Sequence, residues 1–224
     1  MRIVLTGSGG FLGESISDHL KSLGHEVLGL DLKLGHDLSD ELFVRSWFSD
    51  HSADVLINCF AINDHVLPRN QREDFLGISL QNFEEVLSVN VTSLFSVSRE
   101  FIRNNLTGKI INFSSIYSMV SPRPDIYAGG EKHIGYGVSK AAVNQISRHL
   151  AVHAAPNFSV NTIILGGVFN EQHSDFVNAY SENVPMGRMG NPSDLYPILE
   201  MLISPGSSYL TGSEILIDGG WTAI

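Results

Sequence analysis

Cysteine is all but missing. Cys59 stands alone among 224 residues, so no intrachain disulfide can form. Its place in the apolar run Val55-Leu56-Ile57-Asn58-Cys59-Phe60-Ala61 reads as core rather than as a reactive thiol. Charge is also scarce and one-sided: charged residues make up 17%, and Asp plus Glu outnumber Lys plus Arg by 24 to 14, for a formal net charge of −10. Such a balance repels phosphate backbones and anionic headgroups, which argues against nucleic acid or a membrane as partner and leaves a small-molecule substrate. The stretch Met1 to Gly7 enters a short apolar run and then a glycine turn, too short for a signal peptide or a membrane span, and a cytoplasmic protein is expected. There is no repeat, low-complexity tract or Pro/Ser-rich linker, so residues 1–224 read as a single domain. His149 and His153 are spaced i, i+4 without the Glu of a His-Glu-x-x-His pattern, and no metal is expected.

What is present is alternation. Short β-branched runs at Arg2 to Leu5, Glu26 to Asp31, Val55 to Cys59, Lys109 to Phe113, Val160 to Leu165 and Ile215 to Ile217 are separated by stretches of helical period. This is the pattern of an α/β protein, a Rossmann-like doubly wound parallel sheet with helices on both faces. Between the first two runs Phe11, Leu12, Ile16, Leu20 and Leu23 share one helical face, and Gly24 stands where that helix would stop. Only six positions separate Asp31 from the Asp37-Leu38 pair, too few for a crossover helix. The expectation there is a third strand reduced to a stub, then a helix over 40–48. Further helices are predicted over 80–104, 137–153 and 192–202.

The turn Thr6-Gly7-Ser8-Gly9-Gly10-Phe11-Leu12-Gly13 follows the first strand and opens the first helix, the setting in which a glycine-rich turn binds a dinucleotide. Gly7 suits the tight turn, Gly10 permits close approach to a pyrophosphate and Gly13 lets helix and strand pack. The helix start would face the phosphates, making Gly7, Ser8, Gly10, Phe11, Leu12 and Gly13 candidate cofactor-binding residues. Asp31 ends the second strand about twenty residues on, where a carboxylate accepts from the adenosine ribose and repels a 2′-phosphate. That favours NAD; Lys33 nearby keeps NADP open.

Along nearly its whole length the chain resembles the short-chain dehydrogenase/reductase family. The resemblance is carried by the glycine turn, Asp37-Leu38, Leu56-Ile57-Asn58, Asn90-Val91-Thr92-Ser93-Leu94-Phe95, Gly108 to Ser115, Tyr136-Gly137-Val138-Ser139-Lys140 and the tail from Leu210-Thr211-Gly212 to Asp218-Gly219-Gly220-Trp221. Tyr136 and Lys140 are spaced i, i+4, so a helix presents both to one ligand. Free tyrosine, with a pKa of about 10, is a poor base near neutrality, and a neighbouring ammonium is expected to lower it. The resemblance implies that Tyr136 is the general acid/base, that Lys140 holds the nicotinamide ribose, that Ser115 rather than Ser114 bonds the reacting oxygen, and that Asn90 positions a water in a proton relay. It also implies cofactor contacts from Asp37, Leu38 and Asn58, and a homodimer or homotetramer with the Trp221 tail at an interface.

Several residues depart from the family pattern. The spacing Gly7-x-x-Gly10-x-x-Gly13 looks like that of extended members, which include nucleotide-sugar enzymes. Asn58-Cys59-Phe60-Ala61 replaces Asn-Asn-Ala-Gly, and Leu165-Gly166-Gly167 replaces a Pro-Gly. Ser115 and Tyr136 stand 21 positions apart, longer than usual, through Ser121-Pro122-Arg123-Pro124 to Tyr127-Ala128-Gly129-Gly130; an ordered lid is one reading. With Ser115-Ile116-Tyr117 and Gly166 to Asn170, this looks like the branch related to flagellin-modification and nonulosonic-acid enzymes. Arg123, Tyr127, Lys132 and His133 are candidate contacts to a polar or phosphorylated substrate. The expected activity is oxidation of a secondary alcohol to a ketone or its reverse, with a sugar or nucleotide sugar as the candidate substrate. A nucleotide-sugar epimerase or dehydratase with retained NAD, and a non-catalytic cofactor-binding sensor, remain alternatives.

Overall fold

The computed structural model describes residues 1–63, 76–127 and 131–224. Among the described residues six strands form one parallel sheet: β1 (Arg2–Thr6), β2 (Glu26–Leu30), β3 (Val55–Asn58), β4 (Gly108–Ser115), β5 (Phe158–Leu165) and β6 (Glu214–Ile217), in the spatial order β2-β1-β3-β4-β5-β6. Alternation along β1 decides which layer each residue joins. Val4 faces a core with Leu56, Ile110 and Val160, closed by Val44 and Phe48 of helix α2 (Glu41–Asp50), Val97 and Phe101 of α4 (Leu94–Asn104) and Leu150 of α5 (Ile134–His153). Ile3 and Leu5 point the other way, into a core shared with Ile57, Ile111 and Ile163 and covered by Ile16 and Leu20 of α1 (Phe11–Ser22) and Leu199 and Leu202 of α7 (Tyr196–Ile203). The sheet is therefore buried on both faces, as parallel sheets require.

The chain leaves β2 at one edge, passes β1 and enters the sheet again at β3. This reversal opens a crevice at the carboxyl ends of β1 and β3, the place where doubly wound sheets bind ligands.

The expected third-strand stub is not among the described residues. The Asp31 carboxylate accepts from Lys33 N–H and starts a 3-10 turn, Leu32–Leu34, which Gly35 ends with φ +84°. Asp37 then accepts from the N–H and hydroxyl of Ser39, and Asp40 caps α2 through the N–H groups of Leu42 and Phe43. Three consecutive side-chain-capped turns satisfy the backbone locally and leave nothing extended to pair with β2.

The helix expected over 80–104 is two helices, α3 (Leu80–Leu87) and α4, joined by a widened π turn at Ser88–Ser93. Helix α6 (Ser174–Glu182) was not expected. It builds a third cluster beyond the strand ends, where Tyr180 and Trp221 stack with ring centres 4.5 Å apart. The Trp221 side chain, in the tail expected at an oligomer interface, is 5% exposed within its own chain.

Candidate active site

The first part of the site is the glycine turn. Gly7 has φ +72°, and a Cβ there would lie 2.7 Å from Phe60 N. A Cβ on Gly13 would sit 1.9 Å from the Gly7 carbonyl oxygen, so only glycine lets α1 start against the turn. Gly10 is the N-cap of α1, and no side chain caps that helix. Its first-turn N–H groups, borne by Phe11, Leu12 and Gly13, face a cavity of ≈ 330 Å³ with the partial positive charge of the helix end behind them. Gly7 and Gly10 also border a second cleft of ≈ 420 Å³, walled by Asp31, Leu32, His36, Asp37, Leu38, Ala61 and Ile62. These two spaces share the glycine turn, Cys59 and Ala61, as a dinucleotide with one half in each would need. The residues present therefore fit a nicotinamide dinucleotide.

Asp31 is held in place by its own neighbours. It accepts from Gly9 N–H at 3.0 Å and from Lys33 N–H at 2.8 Å, while Lys33 Nζ turns back to donate to the Gly9 carbonyl at 2.6 Å.

The second part lies at the ends of β4 and β5 and the start of α5. Ser115, Tyr136 and Lys140 all line the ≈ 330 Å³ cavity. Ser115 is the last residue of β4; its hydroxyl accepts from Tyr117 N–H at 3.2 Å and hydrogen-bonds the Tyr136 side chain. Lys140 is 4% exposed, donates from Nζ to the Phe113 carbonyl at 3.0 Å and lies 5.7 Å from the centre of the Tyr136 ring. Ser114 is turned away, donating to the Lys140 carbonyl at 3.0 Å, which leaves Ser115 as the serine that meets Tyr136.

Asn90 sits in the π turn, 1% exposed. It accepts from Ile62 N–H at 2.7 Å and donates to the Ile62 carbonyl and to Ser139 Oγ, each at 3.0 Å. Both amide hydrogens are thereby used.

Comparison with known proteins decides the family. The family model described as enoyl-(acyl carrier protein) reductase matches residues 2–222. A 2-dehydro-3-deoxy-D-gluconate 5-dehydrogenase of Dickeya dadantii is 30% identical, the match covering 98% of this chain and 94% of that protein. The chain belongs to the short-chain dehydrogenase/reductase family. A short-chain dehydrogenase of Leptospira borgpetersenii solved with bound NAD+ superposes with TM-score 0.89 at 31% identity, covering 99% of this chain and 92% of that one. A putative 2-deoxy-D-gluconate 3-dehydrogenase of Agrobacterium tumefaciens with bound NADP does so at TM-score 0.84 and 26% identity, covering 100% and 96%. Membership of this family makes the chain a nicotinamide-dependent oxidoreductase of small-molecule alcohols and ketones.

Within this short-chain dehydrogenase/reductase, burial works against the expected tuning of the tyrosine. Tyr136 is pushed up to about 12, by burial first, with the Ser115 hydrogen bond opposing. Burial also draws the Lys140 ammonium down from 10.5 to about 8. The protein alone thus holds Tyr136 as a neutral phenol, an acid ready to donate.

Two expected cofactor residues have other work. Asn58 lines neither space; it accepts from Thr6 Oγ1 and donates to Ser98 Oγ and Asn112 Oδ1, and Asn112 donates to Ser147 Oγ. This buried chain ties β1, β3, β4, α4 and α5 together beneath the site. The Ser8 side chain packs toward Gly29 of β2 rather than into the cavity. Cys59, expected in the core, is half-buried and walls both spaces; burial pushes its thiol up to about 12, against the pull of Lys140, so it is no nucleophile at neutral pH.

Of the residues between Ser115 and Tyr136, Pro124–Tyr127 form a 3-10 turn with Ile126 and Tyr127 buried in the third cluster, while Ala128, Gly129 and Gly130 lie outside the described residues. Tyr127 and Lys132 line the cavity; Arg123 instead pairs with Asp125 at 3.2 Å, exposed. Residues not singled out by sequence complete the wall: Asn63, Gln172, Phe176, Met189 and Tyr180, whose hydroxyl accepts from Gly167 N–H at 2.6 Å. The i, i+4 pair Phe176 and Tyr180 was the one available signal for α6. His149 and His153 pack as a tilted pair with ring centres 4.2 Å apart, and no metal-holding cluster occurs among the described residues. Nor is any described helix long and apolar enough to cross a membrane.

Proposed function

We propose that this chain is an NAD-preferring dehydrogenase that interconverts a secondary alcohol and a ketone on a small carbohydrate-derived substrate, with Ser115, Tyr136 and Lys140 as its catalytic residues. The observation that carries the reading is the meeting of these three side chains in one cavity whose opposite wall is the uncapped start of α1. Gly7, Gly10, Phe11, Leu12, Gly13 and Lys140 would hold the pyrophosphate and nicotinamide half, and Asp31, Asp37 and Leu38 the adenosine half. The chemistry such a cofactor supplies when bound is hydride exchange with the reacting carbon.

Tyr136 Oη gives its proton to the oxygen of the substrate during reduction and takes it back during oxidation. Ser115 Oγ, held beside Tyr136, orients that oxygen by hydrogen bonding. Lys140, fixed by the Phe113 carbonyl, places a positive charge where it favours the phenolate as the proton leaves. Asn90 locks Ser139, and with it the helix turn carrying Tyr136 and Lys140, to the backbone at Ile62. With its amide spent, a relay water would be met by its main-chain carbonyl.

NAD preference is supported by Asp31 at the wall of the adenosine cleft, with Lys33 folded back on Gly9. A carbohydrate-derived substrate is supported by the two sugar-acid relatives and by a wall that mixes hydroxyl and amide groups with Phe176 and Met189. Neither relative favours the flagellin-modification or nonulosonic-acid branch. A homodimer or homotetramer is part of the same reading, and light scattering checks it. The test of function is absorbance at the reduced-nicotinamide band with NAD or NADP and a panel of aldoses, aldonic acids, polyols and nucleotide sugars. Net reduction upholds the dehydrogenase; tight cofactor binding with no net reduction across the panel points to a retained-cofactor epimerase or a sensor instead.

A further inference from the structure

The turn that leaves β5 contains two successive glycines, yet its backbone is tied down residue by residue. Gly166 N–H donates to the Ile217 carbonyl at 2.9 Å, and Gly167 N–H to Tyr180 Oη at 2.6 Å. The Gly167 carbonyl accepts from Gly190 N–H, and the Val168 carbonyl from Gln172 Nε2, each at 2.9 Å. Tyr180 reaches the turn from α6. A Cβ on Gly167 would lie 2.7 Å from Tyr180 Cζ, so the ring takes the space that a side chain at 167 would need. Glycine at this position admits the ring. Tyr180 is 3% exposed and stacks on Trp221 with an interplanar angle of 15°. Burial pushes its hydroxyl up to about 12, so it remains a neutral phenol and accepts an N–H without bringing charge to the cavity.

We propose that Tyr180 is a positioning residue: by accepting from Gly167 N–H it fixes the turn from Gly166 to Val168 as the wall against which the nicotinamide half of the dinucleotide lies. This rests on the assignment of the Tyr136 cavity to that half of the cofactor. Strand register places the turn. Leu165 pairs with Ser115, so Gly166 begins at the level of Ser115. Gly166, Gly167 and Val168 line the cavity that holds Ser115, Tyr136 and Lys140, and none of them is among the described residues that wall the adenosine cleft. The turn therefore acts on one half of the dinucleotide and not on the other. Glycine has the widest choice of φ and ψ, and a turn built on two of them without an anchor populates several shapes. A ligand that needs one of those shapes binds more weakly by the fraction of the time the turn spends in it. Tyr180 removes that penalty by holding one shape before the cofactor arrives.

The experiment is calorimetric titration of the wild type, Tyr180→Phe and Gly167→Ala with NAD and with ADP-ribose, which lacks the nicotinamide ring. Tyr180→Phe keeps a ring to stack on Trp221 and removes only the acceptor. Its NAD affinity is expected to fall about tenfold, the scale of one buried hydrogen bond, while its ADP-ribose affinity stays within about twofold of the wild type. Gly167→Ala reaches the same turn from the other side, by driving the ring off Gly167, and should show the same split. A tyrosine that served stability alone would lower the unfolding temperature and either leave both affinities unchanged or weaken both alike; each of those results overturns the proposal. Hydrogen exchange on the cofactor-free wild type tests the anchor directly. The Gly167 amide is expected to be protected, and exchange at the rate of an open loop would overturn the proposal. If the wild type binds ADP-ribose as tightly as NAD, the wall does nothing for the nicotinamide, and the proposal fails while the dinucleotide site stands. If it binds neither, the cofactor reading fails and takes the proposal with it.

Discussion

On the proposed mechanism Lys140 serves the chemistry yet strains the fold that carries it, and replacing it with methionine should make the protein more stable and inactive. The side chain is 4% exposed, and burial lowers its pKa from 10.5 to about 8. Taking 10.5 for the unfolded chain, the gap corresponds to about 3 kcal/mol at roughly 1.4 kcal/mol per pH unit, the penalty for keeping the ammonium inside the folded protein at pH 7. Because the folded pKa is the depressed one, the stability that Lys140 withholds is present in full above pH 10.5 and lost as pH falls through 8. Methionine has similar length and no charge. It forfeits the bond from Nζ to the Phe113 carbonyl, about 1 kcal/mol, so Lys140→Met should exceed the wild type by about 2 kcal/mol at pH 7. By pH 10 the wild type has regained most of the deficit, and the difference should shrink by about 2 kcal/mol or more. Urea unfolding of both proteins at pH 7 and pH 10 measures this, since titrations common to both cancel. A variant less stable than the wild type at pH 7, or a difference that does not move with pH, would refute the reasoning.

Gly13→Ala forces a Cβ to 1.9 Å from the Gly7 carbonyl, so the turn must open. We expect a loss of about 1–3 kcal/mol in stability and more than tenfold weaker cofactor binding, read by thermal unfolding and by quenching of nicotinamide fluorescence. Asp31→Ser removes the carboxylate at the wall of the adenosine cleft and should shift the NAD/NADP affinity ratio at least about tenfold toward NADP in the same titration. Asn112→Leu leaves Asn58 and Ser147 without their shared partner in the buried chain under the site, and should lower the urea midpoint by an amount equal to about 2–4 kcal/mol while the NAD/NADP ratio stays put.

The strands were legible because period-2 burial on two faces leaves its mark on composition: Ile3, Val4 and Leu5 serve alternate cores without a polar residue among them. Their ends were less so. β4 runs on through Ser114 and Ser115, polar residues that the β-branched pattern stops short of: Ser114 ties the strand to α5 through the Lys140 carbonyl, and Ser115 meets Tyr136. The break of the long helix at the π turn had no glycine or proline to announce it. It follows from Asn90 bonding to Ile62 and Ser139, contacts 28 and 49 residues away. Helix α6 escaped notice because its short apolar stripe, Phe176, Val177 and Tyr180, follows a polar stretch and gains its meaning only against Trp221 and Tyr127. The i, i+4 spacing fixed Tyr136 relative to Lys140, while the roles proposed for them and for Ser115 came from the family resemblance. The structural partners of Asn58 were not legible because a buried asparagine inside a strand and one facing a ligand look alike in sequence; its side chain is taken up by Thr6, Ser98 and Asn112.

The central claim is that Tyr136 moves the proton in a nicotinamide-dependent oxidation. The most direct measurement is single-turnover NAD reduction by the wild type and Tyr136→Phe on whichever member of the panel is turned over, with cofactor affinity and unfolding measured on the same samples. The account predicts a rate reduced by about 10²–10⁴-fold in the variant, with cofactor affinity and stability little changed. A Tyr136→Phe enzyme that retained the wild-type rate would contradict it.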